Sequence, residues 1–186
     1  MTKREGSRRK FLFNSATGLG SVWLATHWPA ILSAQQGAKL EFFTAEQATE
    51  IDAIAAQIIP TDSTPGAREA HCLNFIDHFL AGYGKSQQAG YTKGLQDLQA
   101  EVTKQFPGAA RFSALTSEQQ IKVLTAIEKT PFFMQIRTDT ITGMFADPKH
   151  LGNYNQAGWK LIGYNASNTF PYANRPPLGY YDAVPS

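Results

Sequence analysis

With 186 residues and 42% hydrophobic content, the chain has the size and composition of a single globular domain. Its formal charge of +2 arises in the first ten residues, which carry five basic side chains and one acidic one; the rest of the chain has 12 basic and 14 acidic side chains. A slightly acidic body with scattered lysines lacks the basic patch that nucleic-acid binding requires, so we expect no nucleic-acid partner.

The first 34 residues have the organisation of an export signal. A basic head precedes the mildly apolar segment FLFNSATGLGSVWLATHWPAILSA, whose small residues near Ala34 mark the expected cleavage point. Asn14, His27 and other polar residues are unusual in a membrane span, although an uncleaved N-terminal anchor is the alternative. The twin-arginine motif S-R-R-x-F-L is matched at every specified position, by Ser7, Arg8, Arg9, Phe11 and Leu12. We therefore expect export to the periplasm by the twin-arginine translocase.

The twin-arginine route transports folded proteins, often with a cofactor inserted, and sometimes carries a partner that has no signal. The sequence contains no cofactor motif of its own. Phe79 stands where the P-loop pattern ending in Gly84-Lys85-Ser86 needs its first glycine, and neither G-x-G-x-x-G nor G-x-S-x-G occurs. The signal therefore suggests that a partner of this chain carries the cofactor.

Residues 35–164 are predicted to form one helical domain that begins with two amphipathic helices. Thr44 and Gln47 make a capping box that begins the first helix, which ends at Ile59 before Pro60. Pro65 suits the first turn of the second helix, which runs to about Gly82. Apolar residues recur at helical spacing on both helices, so we expect the two to pack on each other.

Three further helices complete the predicted domain. The third is marked by Tyr91, Leu95, Leu98 and Val102. The fourth begins at a second capping box, Thr116 with Gln119. Pro131 begins the fifth, one side of which is expected to carry Phe133, Ile136, Thr140, Ile141, Met144 and Phe145. No segment alternates with a period of two, so the predicted fold is all-α with about five helices.

The second helix carries the residues that could suggest chemistry. Cys72 is the only cysteine, which excludes an internal disulfide, a thiolate zinc cluster and haem attachment through C-x-x-C-H. On an apolar face it is expected to be a packed thiol, with an intersubunit disulfide as the alternative. His71 and His78 would lie on one face about 10 Å apart, too far to share a metal. We predict no catalytic, cofactor-binding or metal-binding residue.

After Ala146 the sequence becomes rich in glycine and asparagine, and residues 165–186 are rich in proline and aromatic residues. Proline at this density prevents helix and inner strand. The tail either folds back on its own helices or forms an extended arm that orders against a partner and buries aromatic anchors. The candidate partner contacts are Cys72, Trp159, Phe170, Tyr172, Tyr180 and Tyr181.

Two segments carry a family resemblance. From Thr44, TAEQATEIDAIAAQIIPTDSTPGAREAHCLNFIDHFL resembles a pattern of helix, I-I-P-x-D-x-T-P-G-A, and helix. From Phe145, FADPKHLGNYNQAGWKLIG resembles F-x-D-P-x-x-G-G-N-x-x-x-x-G-W-K-x-I-G, with Leu151-Gly152 in place of the paired glycines. Both patterns are similar to those of the small subunit, subunit 3, of gluconate 2-dehydrogenase and related membrane-bound sugar dehydrogenases.

The resemblance implies an accessory role. In such complexes a large flavoprotein of the glucose–methanol–choline (GMC) oxidoreductase type binds FAD and oxidises a sugar, sugar acid or glycoside. Electrons then pass to a c-type cytochrome or a quinone, with haem or an iron–sulfur cluster as further cofactors of partner subunits. The small subunit packs on the large one, supports its folding and exports it as a hitchhiker on its own signal. The complex would lie in the periplasm or at the inner membrane.

No catalytic residue carries over from the family. The residues that match its motifs are expected to have structural or interface roles: Asp62, Pro65, Gly66, Asp147, Pro148, Trp159 and Gly163. The alternative to a small subunit is a free-standing periplasmic helical module with a binding or chaperone-like role. An enzyme in its own right would need a bound chromophore or metal.

Overall fold

The structure, a computed structural model, describes residues 39–164. This part of the chain contains six α-helices and no strand, so the all-α prediction is confirmed. The helices are α1 Ala45–Ile58, α2 Cys72–Ala81, α3 Gln88–Gln105, α4 Ser117–Ile127, α5 Pro131–Phe145 and α6 Ala157–Leu161. The short α6 lies in the segment after Ala146 that is rich in glycine and asparagine, for which no helix was predicted.

Local signals, two capping boxes and one proline, determine where three of the helices begin, as predicted. The Thr44 hydroxyl accepts from the Gln47 backbone N–H at 3.2 Å, and the Gln47 side chain accepts from the Thr44 N–H at 3.0 Å. Thr116 caps α4 with Gln119 in the same reciprocal way. Pro131 is the first residue of α5, where a missing N–H has no consequence.

The second helix begins at Cys72, seven residues later than the position of Pro65 suggested. The intervening loop turns back onto α1, where Ala67 N–H donates to the Ile59 carbonyl at 2.9 Å. His71 then adopts the left-handed conformation, with φ 56°, directly before the helix. A backbone that reverses in this way cannot also be helical, so the local proline signal gives way to the packing of the loop.

The core lies between the first five helices, α1 to α5. Its fully buried members include Ile51, Ile54, Ile76, Leu80, Tyr91, Leu98, Val102 and Ile136. A second, smaller cluster lies at one end of the body, beneath the loops that follow α1 and α5, and consists of Ala55, Ala67, Ala70, Cys72, Met144 and Ala157. Its small side chains let the backbone segments around it approach closely.

The apolar residues of α5 occupy two faces of the helix, whereas the sequence suggested one. Ile136, Thr140 and Met144 are buried, at a spacing of four, against α2 and the rest of the core. Ile141 and Phe145, predicted for the same side, are exposed. The helix is apolar around much of its circumference, so periodicity alone could not identify the buried face.

Candidate functional site

The two segments that carry the sequence motifs lie side by side in the structure. The loop before α2, residues 60–71, contacts the loop between α5 and α6, residues 147–156. The Tyr154 N–H donates to the Ala70 carbonyl at 3.1 Å, and the Tyr154 ring stacks on that of His71 with centroids 4.2 Å apart. We call this contact region the loop junction. Segments far apart in the sequence thus form one structural unit.

The second loop of the junction has an unusual backbone. Four residues other than glycine have positive φ within six positions, namely Leu151, Asn153, Asn155 and Gln156. Such conformations are unfavourable for residues with a Cβ and persist only where surrounding contacts hold them. Leu151, with φ 68°, stands at the first of the two positions where the motif has glycine. The structure therefore explains why glycine is suited to this position.

Asn153 holds this loop in place. It is fully buried, and its side-chain amide donates to the Ala146 carbonyl at 2.9 Å. Its side-chain oxygen accepts from the Gly158 N–H at 2.9 Å, and its own N–H donates to the Gly143 carbonyl at 2.7 Å. These bonds connect the end of α5 to the start of α6, so the motif asparagine has its polar groups satisfied within the chain.

The motif glycines lie where backbone segments meet. A Cβ on Gly66 would lie 2.6 Å from the Ile59 carbonyl oxygen, and one on Gly152 would lie 2.4 Å from the Gly143 carbonyl oxygen. Such distances exclude any side chain unless the backbone moves. The glycines are therefore required for packing.

The acidic residues of the first loop also bond locally. Asp62 accepts from the Thr64 N–H at 2.8 Å, and the bonds from Thr64 hold the pKa of this carboxyl below its usual range. Burial acts to raise the pKa of Glu69, but hydrogen bonds, including those from the Thr61 hydroxyl and the Gly66 N–H, bring it below its ordinary value. Both carboxylates stabilise the turn and neither projects freely.

Asp52 and Arg68 connect α1 to this loop by an ion pair. Arg68 Nε lies 2.7 Å from Asp52 Oδ2, and the carboxylate is buried while the guanidinium is partly exposed. Burial raises the pKa of Asp52 although Arg68 acts to lower it. We regard the pair as an anchor for the loop, since the carboxylate faces the protein interior.

The two histidines do not share a helical face, in contrast to the prediction. His71 precedes α2, and its ring is half-buried against Tyr154, which lowers the pKa of the imidazole. His78 lies on α2, with its Nδ1 2.9 Å from Glu41 Oε1. Within residues 39–164 no three His, Cys, Asp or Glu side chains lie close enough together to hold a metal ion.

Cys72 lies in the core. It is completely buried in the smaller apolar cluster, and burial raises the pKa of its thiol to about 12. This placement corrects its inclusion among the partner contacts, because an interface residue must reach the surface. It favours the packed thiol over the intersubunit disulfide.

Trp159 is the other candidate contact within the described residues. It lies on α6 and is half-buried against the end of α5. Its Nε1 donates to the Phe145 carbonyl at 2.7 Å, and its ring packs edge-on against Tyr164 with centroids 4.8 Å apart. The remaining candidates lie outside the described residues and stay predictions: the partner contacts Phe170, Tyr172, Tyr180 and Tyr181, and the signal residues Arg8, Arg9, Phe11 and Leu12.

Asp77 has a structural role that the sequence did not reveal. Its carboxylate accepts from three successive backbone N–H groups, those of Glu41, Phe42 and Phe43, at 2.6, 3.1 and 2.8 Å. The contacts connect α2 to a segment more than thirty positions earlier, and only a three-dimensional arrangement brings them together. Asp77 thereby fixes the segment that joins the N-terminal region to α1.

A groove of about 440 Å³ lies between α3 and the start of α5, away from the loop junction. Its lining includes Tyr91, Leu98, Ile127 and Phe132. The Tyr91 hydroxyl donates to Asp139 at 2.7 Å, and Phe132 packs over Gly94, where no side chain fits.

The helices of residues 39–164 do not include one with both the length and the apolar character of a membrane span.

Comparison with known proteins gives one family. The family described as Gluconate 2-dehydrogenase subunit 3 matches residues 45–165, which is more than half of the chain and includes the whole loop junction. No curated protein matches the chain. No solved structure matches it either.

Proposed function

The chain belongs to the gluconate 2-dehydrogenase subunit 3 family, and we propose that it is the non-catalytic small subunit of a periplasmic FAD-dependent dehydrogenase. Membership of a subunit family implies other subunits as partners. The proposed principal partner is a large flavoprotein of the GMC type, which binds FAD and oxidises a sugar, sugar acid or glycoside. A c-type cytochrome or a quinone would accept the electrons.

The observation that carries this proposal is how the family motifs are used in the fold. Asn153 and Trp159 bond to backbone carbonyls of the chain itself, and Asp62 accepts from a backbone N–H of its own turn. Gly66 and Gly152 allow backbone segments to touch. Motif residues of this kind maintain the fold. A family whose members share a fold, but whose motifs supply no reactive groups, is suited to the role of a subunit that supports another protein.

The proposed role in export depends on the N-terminal motif. Arg8 and Arg9 would direct the chain, folded together with its partner, to the twin-arginine translocase. A flavoprotein that acquires FAD before export needs such a route. The small subunit would then act as a folding support and export escort, and the complex would work in the periplasm or at the inner membrane.

Co-expression with the large subunit tests the proposal. Cells carrying Arg8→Lys/Arg9→Lys should retain the flavoprotein in the cytoplasm or in the insoluble fraction, whereas the wild-type chain brings it, yellow with bound FAD, to the periplasm. Arg4→Lys, which lies outside the motif, is the matched control and should export normally. A flavoprotein that reaches the periplasm without this chain would refute the escort role.

A free-standing binding or chaperone-like module is the second candidate, favoured by the self-contained core of residues 43–157. It predicts that the chain purifies alone as a stable monomer and that pull-down from its native cells recovers no flavoprotein. A visible spectrum and a metal assay of the isolated chain test the remaining option of an enzyme. The proposed small subunit should show neither a chromophore nor a stoichiometric metal.

A further inference from the structure

One side of α5 faces solvent along its whole length and is largely apolar. This outward face of α5 consists of six exposed residues, Met134, Arg137, Thr138, Ile141, Thr142 and Phe145. At 3.6 residues per turn they fall on one side of the helix, in a strip about 17 Å long. Met134 is 63% exposed, Ile141 39% and Phe145 36%. Single exposed apolar residues are ordinary, but three along one strip form a patch.

The two threonines of the strip offer fewer hydrogen-bond donors to solvent than their residue type suggests. The Thr138 hydroxyl donates to the Met134 carbonyl at 2.9 Å, and the Thr142 hydroxyl donates to the Thr138 carbonyl at the same distance. Since the donors of both hydroxyls are used by the helix itself, these side chains add mainly methyl groups to the strip. Arg137 is its only charged residue, and it forms no ion pair with any residue between 39 and 164.

The other exposed helix faces differ in charge. On α4, the exposed Ile121 is accompanied by Glu118 and Lys122. On α3, Lys93 pairs with Asp97 at 2.7 Å, and Lys104 pairs with Glu101 at 3.0 Å. These faces have the mixed charge that is typical of a surface in contact with water. The scarcity of charge is therefore a local property of the α5 face.

The apolar surface continues at the C-terminal end of α5. Trp159 packs there through its bond to the Phe145 carbonyl. The residues that follow include Leu161, Ile162 and Tyr164, which are 41%, 62% and 42% exposed. Leu161 and Ile162 belong to the family motif that ends at Gly163. The outward face of α5 thus adjoins the segment in which the loop junction is built.

We propose that the outward face of α5, together with the exposed end of α6, is the surface on which the larger subunit docks. The inference rests on the proposed function, since that function supplies the partner. The core of a protein interface is depleted of charge and rich in apolar side chains, as this strip is. The partner is expected to present an apolar surface with one carboxylate opposite Arg137. A strip of this length would form the centre of an interface of about 800 Å² per partner.

Charge introduced into the strip tests the docking surface. Met134→Glu/Ile141→Glu should weaken association with the co-expressed large subunit by a factor on the order of 100, because both carboxylates would be desolvated in the interface. The matched control is Ile121→Glu on α4, where an exposed isoleucine is replaced without effect on association. Circular dichroism of the isolated chains should show that all variants fold. Unchanged association of the double variant would overturn the inference.

A cysteine label reports directly what covers the strip. Cys72 is the only cysteine of the chain and is completely buried, so a thiol introduced at the surface reacts alone. Ile141→Cys should react rapidly in the isolated full-length chain and should be protected in the complex. Ile121→Cys should react in both. A label at position 141 that is already blocked in the isolated chain would mean that the tail or a second copy covers the strip, and this would overturn the proposal.

Different results would refute the proposed function and the proposed docking surface. If the wild-type chain recovers no large subunit, the proposed function is wrong. If the complex forms while Ile141→Cys stays reactive within it, the function stands and the docking surface lies elsewhere.

Discussion

Gly158 packs so closely on α5 that a Cβ at its position would lie 2.0 Å from the carbonyl oxygen of Met144. This contact joins the first turn of α6 to the last turn of α5, backbone against backbone. Trp159, the next residue, owes its position over the Phe145 carbonyl to the same approach. The position of α6, which contributes one end of the proposed docking surface, therefore depends on the absence of a side chain at Gly158.

Gly158→Ala should consequently destabilise the fold. The added methyl group meets a backbone atom, which cannot move aside as a flexible side chain would, so we expect a loss of about 2 kcal/mol or more in the free energy of unfolding. Gly90→Ala is the control, because a Cβ there meets nothing within 4 Å. It should stabilise α3 by about 0.5 kcal/mol through the lower chain entropy of alanine. Urea denaturation measures both, and equal stabilities would contradict the packing argument.

Leu151→Gly should stabilise the protein, although it removes a side chain. Leu151 has φ 68°, a conformation that costs a residue with a Cβ roughly 1–2 kcal/mol and costs glycine nothing. Its side chain is 41% exposed, so little packing is lost. We expect a gain of about 1 kcal/mol in the free energy of unfolding. Leu161→Gly, at a residue of equal exposure with helical geometry, should destabilise. A loss of stability in Leu151→Gly would show that the leucine makes contacts that outweigh its strain.

The helix starts were predictable because they depend on short-range chemistry. Thr44 with Gln47, Thr116 with Gln119, and Pro131 each satisfy groups within one turn of their own position. The start of α2 depends instead on the return of its loop to α1, which the local proline signal cannot register. The exposed face of α5 escaped prediction for a related reason, since the neighbours of a helix decide which of two apolar faces is buried.

The loop junction was predictable only as a pair of motifs. The family resemblance assigned Asp62, Gly66, Asp147 and Trp159 to structural or interface roles, and the bonds and close contacts that the structure gives them lie within the chain. The sequence could not show that His71 lies on Tyr154, because 83 positions separate the two residues. Cys72 was expected to be a packed thiol, which its burial favours, and its inclusion among the partner contacts rested on the alternative of an intersubunit disulfide.

Asp77 offers a test of how the N-terminal segment is held. Asp77→Ala removes the acceptor for three backbone N–H groups, and hydrogen bonds to a charged group contribute about 1.5–3 kcal/mol each. Since these amides are partly rehydrated in the variant, we expect a total loss of roughly 2–4 kcal/mol. Hydrogen exchange at the Glu41–Phe43 amides should accelerate more than exchange in α4. Asp97→Ala, which breaks an exposed pair with Lys93, should change stability by less than about 0.5 kcal/mol. Unchanged protection of the three amides would contradict the tether.

His71 should make stability depend on pH below neutrality. Burial against Tyr154 lowers the pKa of the folded imidazole below its value of about 6.5 in the unfolded chain. Between the two pKa values the unfolded chain binds more protons, so the free energy of unfolding falls as the pH decreases through this window. His71→Asn keeps a residue that tolerates the left-handed backbone and removes the titrating ring. The fall in unfolding free energy between pH 7.5 and 5.5 should be smaller in this variant than in wild type. An equal slope in His71→Asn and wild type would mean that the stacked ring is protonated as readily as a free one.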